Sequence, residues 1–155
     1  MYYPLRNMCQ RLLATTSPDA SHRIYALAVR HELAPGTDQL GAVYAISAET
    51  GETTWLHEQR AATLSLLTTG GGLVFGGDAN GRFRAFDQEN GEVLWEINLG
   101  SPVSGFPVSY AVDGRQYVAV STGAAATTAS FLQLTRELRP SNGNNLFVFA
   151  LPDRD

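Results

Sequence analysis

Apolar and polar positions alternate with a period of two over short stretches, separated by glycine-rich punctuation. Residues 64–69, 73–76, 82–87 and 93–98 are four such stretches in succession. Between them lie Gly70-Gly71-Gly72, Asp78-Ala79-Asn80-Gly81 and Asn90-Gly91, all suited to tight reversals. The pattern predicts a four-stranded antiparallel meander. Further strands are expected over 24–29, 41–47, 53–58, 103–112, 116–121 and 146–151, with a turn at Asp113-Gly114. Residues 129–138 have apolar spacing compatible with a short surface helix.

The meander belongs to an internal repeat. Ala45, Glu49, Gly51, Glu52 and Trp55 recur as Ala85, Glu89, Gly91, Glu92 and Trp95, each 40 residues on. A period of about 40 with little helix is the signature of propeller blades of four strands each. The repeat has a local logic. Asp87 closes a strand and can accept hydrogen bonds from the amides of the following turn. Gly91 can take the left-handed conformation that the turn needs, and Asn90 suits that region too. Trp95 is expected to set a large ring between neighbouring blades, so that Trp95→Ala costs about 3–5 kcal/mol. Ser47 replaces the aspartate in the first copy, so that turn should be held less firmly. A third, partial copy is suggested at 149–153, with 124–144 as an inserted loop.

These signals predict an all-β chain, a β-propeller segment of about two to two and a half four-stranded blades. Its expected units are the end of one blade with an N-terminal loop (1–60), a complete blade (61–100) and an incomplete blade with the inserted loop (101–155). Closed propellers have about 4–8 blades. A fragment is expected to leave strand edges and apolar faces open, which invites self-association.

Composition removes several function classes. The 155 residues carry a net charge of −4, which argues against nucleic acid as a partner. No apolar run approaches the roughly 18 residues of a membrane span. All 11 basic residues are arginine, so chemistries built on a lysine are absent. The first residues show no signal-peptide pattern. Cys9 has no second cysteine to pair with and reads as a small buried apolar residue. His22, His31 and His57 are scattered without metal-ligand spacing, and His57 is expected to face solvent on an outer strand.

The stretch from Leu67 through Gly70-Gly71-Gly72, Gly76-Gly77-Asp78 and Ala85-Phe86-Asp87 to Trp95 resembles the C-terminal blades of pyrroloquinoline quinone (PQQ)-dependent dehydrogenases. Residues 107–120 resemble the next block of that family, and 145–152 resemble its usual ending. Even residues 3–9 look like one of its internal strands. The resemblance implies an eight-bladed periplasmic quinoprotein that oxidises an alcohol or a sugar. In it PQQ accepts the hydride equivalent beside Ca²⁺ or a lanthanide, and electrons pass to a cytochrome or to a quinone. It also implies that the metal ligands, catalytic aspartate and quinone-contacting arginine belong to blades outside this stretch. On that ground the chain alone is expected to be inactive, with no catalytic or metal-binding residue of its own. The rival readings are a non-catalytic propeller scaffold of the outer-membrane assembly type and an inactive truncated product.

Innermost strands line the channel of a propeller. Thr63, Leu64 and Ser65 are therefore the first candidates to face the cofactor, and Ser104 and Gly105 stand at the same point of the next blade. Where the family carries glycines and an aromatic before the Thr-x-Gly-Gly turn, this chain reads Thr63-Leu64-Ser65-Leu66. The Gly70-Gly71-Gly72 run is explained by a hairpin rather than a phosphate loop, because no helix follows it. Asp78-Ala79-Asn80-Gly81 looks like a calcium loop, but it lacks the later acidic ligand and reads as a turn.

Overall fold

Alternation becomes sheet where each strand face finds a neighbour to cover it. The computed structural model describes residues 1–15 and 26–150. In chain order the strands are β1 (Tyr2–Arg6), β2 (Met8–Thr15), β3 (Ala26–Leu33), β4 (Gly41–Ile46), β5 (Thr53–Gln59) and β6 (Thr63–Thr68). They continue as β7 (Leu73–Asp78), β8 (Arg82–Asp87), β9 (Val93–Asn98), β10 (Val108–Val112), β11 (Arg115–Ser121) and β12 (Leu146–Ala150). One helix, α1 (Ala126–Leu134), falls between β11 and β12.

Among the described residues all strand pairings are antiparallel. The sheets run β1-β4-β5, β6-β7-β8-β9 and β10-β11-β12, with β2-β3 a separate two-stranded hairpin. The middle sheet is the four-stranded meander expected from the glycine punctuation. The two sheets on either side have three strands each.

The turns repeat in detail. Asp87 Oδ1 accepts from the amides of Glu89 (2.7 Å) and Asn90 (3.2 Å). Ser47 Oγ accepts from the equivalent amides of Glu49 and Thr50 at 3.3 and 3.2 Å. The serine does the same work with the first contact longer and the second equal, as expected of a neutral acceptor. Asn90 stays out of the left-handed region, and Gly91 takes it with φ +76°.

Two apolar seams hold the sheets together. Val43, Ala45 and Trp55 of the first sheet meet Val74 and Phe86 of the second, with Tyr2 and Leu66 beside them. Phe83 of the second sheet and Val103 meet Val118 and Val120 of the third, with Phe147 and Phe149 alongside. A third cluster sets Phe131 of α1 against Leu40, Ala62 and Ala79. Each fully buried side chain of this size contributes about 1.5–3 kcal/mol.

Several expectations change. The N-terminal loop is replaced by strand: β1 pairs with β4, and the β2-β3 hairpin is inserted between them. The strand expected from 103 begins at Val108, because residues 99–105 bind other backbone instead. The amide of Val103 donates to Asp78 (3.0 Å), and that of Gly105 to Ser121 (3.1 Å). The helix begins at Ala126 rather than at 129. Cys9 is exposed, on a strand that among the described residues pairs with β3 alone. His57 is half-buried, its ring edge-on to Phe86 at 5.0 Å across the first seam. The expected residues 24–25 and 151–153 and His22 lie outside the described residues.

Candidate functional site

The candidate residues lie where one sheet hands over to the next. The connection from β5 to β6, the β7-β8 turn and the segment before β10 all lie at the same end of the sheets. Thr63 opens β6 and stands opposite Asp78, the last residue of β7. Ser65, two residues on, is fully buried, and its Oγ donates to the carbonyl of Gly105 at 2.8 Å. The fold therefore brings Ser65 and Gly105 together from two successive sheets. A Cβ at Gly105 would lie 2.0 Å from Ser121 Oγ, so a larger residue there would force the Ser121 hydroxyl to rotate away. Leu64 points the other way, against the cluster of Leu40, Ala62, Ala79 and Phe131. Ser104 is half-buried beside Gly105.

Thr63 leads into a polar network that the sequence did not announce. Its Oγ1 accepts from Gln59 Nε2 at 3.1 Å, and the same nitrogen donates to the carbonyl of Ala61. Gln59 Oε1 accepts from Arg84 Nη1 (2.7 Å), which also donates to Asp78 Oδ2 (3.0 Å). Arg84 Nε reaches Glu96 Oε2 at 2.6 Å, and Arg82 pairs with the other oxygen of Glu96. Asp78 Oδ1 accepts from the amides of Asn80 (2.8 Å) and Arg82 (2.9 Å). The loop that looked like a calcium site is thus a turn whose carboxylate is already satisfied. A cavity of about 220 Å³ opens here, lined by Gln59, Arg60, Asp78, Arg82, Arg84 and Leu138 among others.

Burial sets the electrostatics. It pushes the Asp78 carboxyl above its ordinary range, and the Arg84 guanidinium and two amides pull it only part of the way back. Burial pushes His57 below its ordinary range, with Arg84 adding to the effect and Glu96 opposing it. The signal for this network lay in Arg82 and Arg84, placed on one face of a strand two residues apart, close after Asp78. Period-two reading assigns such positions to solvent; here a neighbouring sheet covers Arg84.

The hydroxyls of Thr63 and Ser65 are engaged within the protein, and Leu64 lies in an apolar cluster. Among the described residues no three His, Cys, Asp or Glu side chains gather where they could share a metal ion.

Comparison with known proteins agrees with this architecture. Residues 60–118 match the family model of the β-propeller domain of glucose, ethanol and alcohol dehydrogenases. The chain is 34% identical over 119 residues to a 1-butanol dehydrogenase (quinone) of Thauera butanivorans, covering 74% of this chain and 19% of that protein. A 1-butanol dehydrogenase (cytochrome c) of the same organism is 36% identical over 55% of this chain and 12% of its own length. Among solved structures, a europium-containing methanol dehydrogenase superposes with a TM-score of 0.82 at 28% identity, covering 97% of this chain and 30% of that one. The chain spans about a fifth of the length of the curated relatives it matches. In repeat, sheet order and similarity alike, it belongs to the PQQ-dependent dehydrogenase family, as a segment of the family's β-propeller.

Proposed function

We propose that this chain supplies the C-terminal, closing blades of a PQQ-dependent dehydrogenase that oxidises an alcohol or a sugar. Its blades are 1–60, 61–100 and 101–155, the last interrupted by 124–144. The reaction belongs to the whole propeller, which sits in the periplasm and passes electrons to a cytochrome or a quinone. PQQ and its Ca²⁺ or lanthanide are held mainly by other blades. Thr63, Leu64, Ser65, Ser104 and Gly105 form part of the channel wall. The observation that carries this reading is the Ser65–Gly105 hydrogen bond, which ties the first strand of the middle sheet to the segment that leads into β10. A wall with its own hydroxyls satisfied is rigid and leaves the cofactor's polar contacts to the rest of the ring.

The test is a graft. The corresponding segment of the Thauera butanivorans quinone-linked 1-butanol dehydrogenase is replaced by this chain. The expected chimera folds, binds PQQ and oxidises 1-butanol. A folded chimera that binds no PQQ would overturn the reading. The isolated chain, titrated with PQQ with and without Ca²⁺ and followed by tryptophan fluorescence, is expected to show no saturable binding.

A further inference from the structure

Two oxidisable rings lie against each other in the first seam. The ring centroids of Tyr2 and Trp55 are 5.7 Å apart, with their planes tilted by 37°. Tyr2 Oη donates to the carbonyl of Gln88 at 3.0 Å, and Trp55 Nε1 donates to the same oxygen at 2.9 Å. The phenol and the indole N–H therefore meet at one acceptor. Trp55 is buried and Tyr2 is the more exposed of the two. Both rings are held between two sheets that this chain itself supplies. Trp95 stands at the equivalent place of the repeat, but the rings described beside it are Phe83 at 6.0 Å and Phe149 at 5.3 Å. A phenyl ring does not give up an electron to an indolyl radical, so the second tryptophan is a built-in control.

We infer that Trp55 and Tyr2 form a relay that carries a one-electron oxidising equivalent out of the buried seam to the phenol. A small radical oxidant takes one electron from Trp55, and Nε1 loses its proton, which leaves the reduced oxidant and a neutral indolyl radical. Tyr2 then supplies an electron across the ring contact. Its Oη gives up a proton while Nε1 takes one up. Trp55 is restored, and a neutral tyrosyl radical remains. At neutral pH the tyrosyl radical is the weaker oxidant of the pair, so the step runs downhill. The shared acceptor makes the two protonating atoms neighbours, and the step leaves no net charge in an apolar seam where an unpaired charge is costly. The oxidising equivalent thus leaves the ring that packs the seam and ends nearer to solvent. The inference rests on the seam alone and not on the enzymatic reading.

Pulse radiolysis with the azide radical as oxidant tests it, on the full chain carrying Trp95→Phe, which leaves Trp55 as its one indole. The indolyl absorption is expected to decay as the tyrosyl absorption grows, at a first-order rate independent of protein concentration. Adding Tyr2→Phe keeps a ring in place and removes the phenol. It is expected to slow the indolyl decay about tenfold or more and to abolish the matching growth. In the reciprocal Trp55→Phe variant the Trp95 radical should persist in the same way. Near-ultraviolet circular dichroism confirms the fold of each variant. A decay unchanged by Tyr2→Phe, or a tyrosyl growth whose rate rises with protein concentration, would overturn the inference. So would a Trp95 radical that passes to tyrosine as fast as that of Trp55. Peptide mass mapping after steady exposure to the same oxidant gives a second reading: oxygenation of Trp55 is expected to rise severalfold in Tyr2→Phe, and no rise would count against the relay.

Discussion

The indole nitrogen of Trp55 donates to the carbonyl of Gln88 at 2.9 Å, so the outermost strand of one sheet is fastened to the outer turn of the next. The ring lies over Gly91 of that turn and within 5.7 Å of Tyr2 and 6.4 Å of Phe86. Trp95 holds the same place in the repeat, but among the described residues its ring partner from the third sheet is Phe149, and it is 38% exposed, against 8% for Trp55.

The two tryptophans should therefore differ in worth. Trp55→Ala is expected to cost about 3–5 kcal/mol and Trp95→Ala roughly 1–2 kcal/mol. The larger value was expected for Trp95 from its motif; the cover on each ring reverses the order. Urea unfolding of both variants checks this, and equal losses would contradict it.

Gly51 and Gly91 separate backbone strain from contact. Both take positive φ, +74° and +76°. A Cβ at Gly51 meets nothing within 4 Å, whereas one at Gly91 would lie 2.6 Å from the Trp55 ring. Gly51→Ala is expected to cost about 1 kcal/mol, the left-handed penalty alone. Gly91→Ala should cost about 2–3 kcal/mol, because the ring must also move. Denaturation midpoints of the pair give the difference directly.

Asp78 gives stability an unusual slope. Its carboxyl titrates higher folded than unfolded, so between those two values the folded state holds the extra proton. This group's contribution is present at low pH and is lost as pH rises through its folded value. Asp78→Asn should flatten that part of the stability profile. Arg84→Met should cost about 3–5 kcal/mol at neutral pH, because it leaves the buried carboxylate without its cation.

His57 acts in the opposite sense. Its pKa is lower folded than unfolded, so the unfolded chain takes up the proton first. Stability from this group is present above the ordinary histidine range and is lost as pH falls through it. His57→Gln is expected to remove that acid-side loss, measured by thermal unfolding between about pH 5 and 7.5.

The middle sheet was legible because its turns are written in residues with fixed backbone habits. Asp87, Asn90 and Gly91 specify one reversal, and Gly72 and Gly81 the others. The first sheet was read only in part, because its first strand, Tyr2–Arg6, reaches its partner across the long β2-β3 insertion. Sequence periodicity reports neighbours along a strand and is blind to such returns. Ser65 and Gly105 could be chosen as equivalent points of a repeat, but their hydrogen bond depends on how two sheets abut. The Asp78–Arg84–Gln59 network was not legible, since charge at alternating positions reads as a wet face until another sheet is laid over it.

The middle sheet is pinned to each of its neighbours, at opposite edges. Its first strand is tied towards the third sheet where the Ser65 hydroxyl reaches Gly105, and its outer turn is tied to the first sheet where the indole of Trp55 reaches Gln88. Each seam therefore carries a directional polar bond besides its oily contact. Loosening either bond would let the angle at that seam drift and change the bore of any ring built from such wedges.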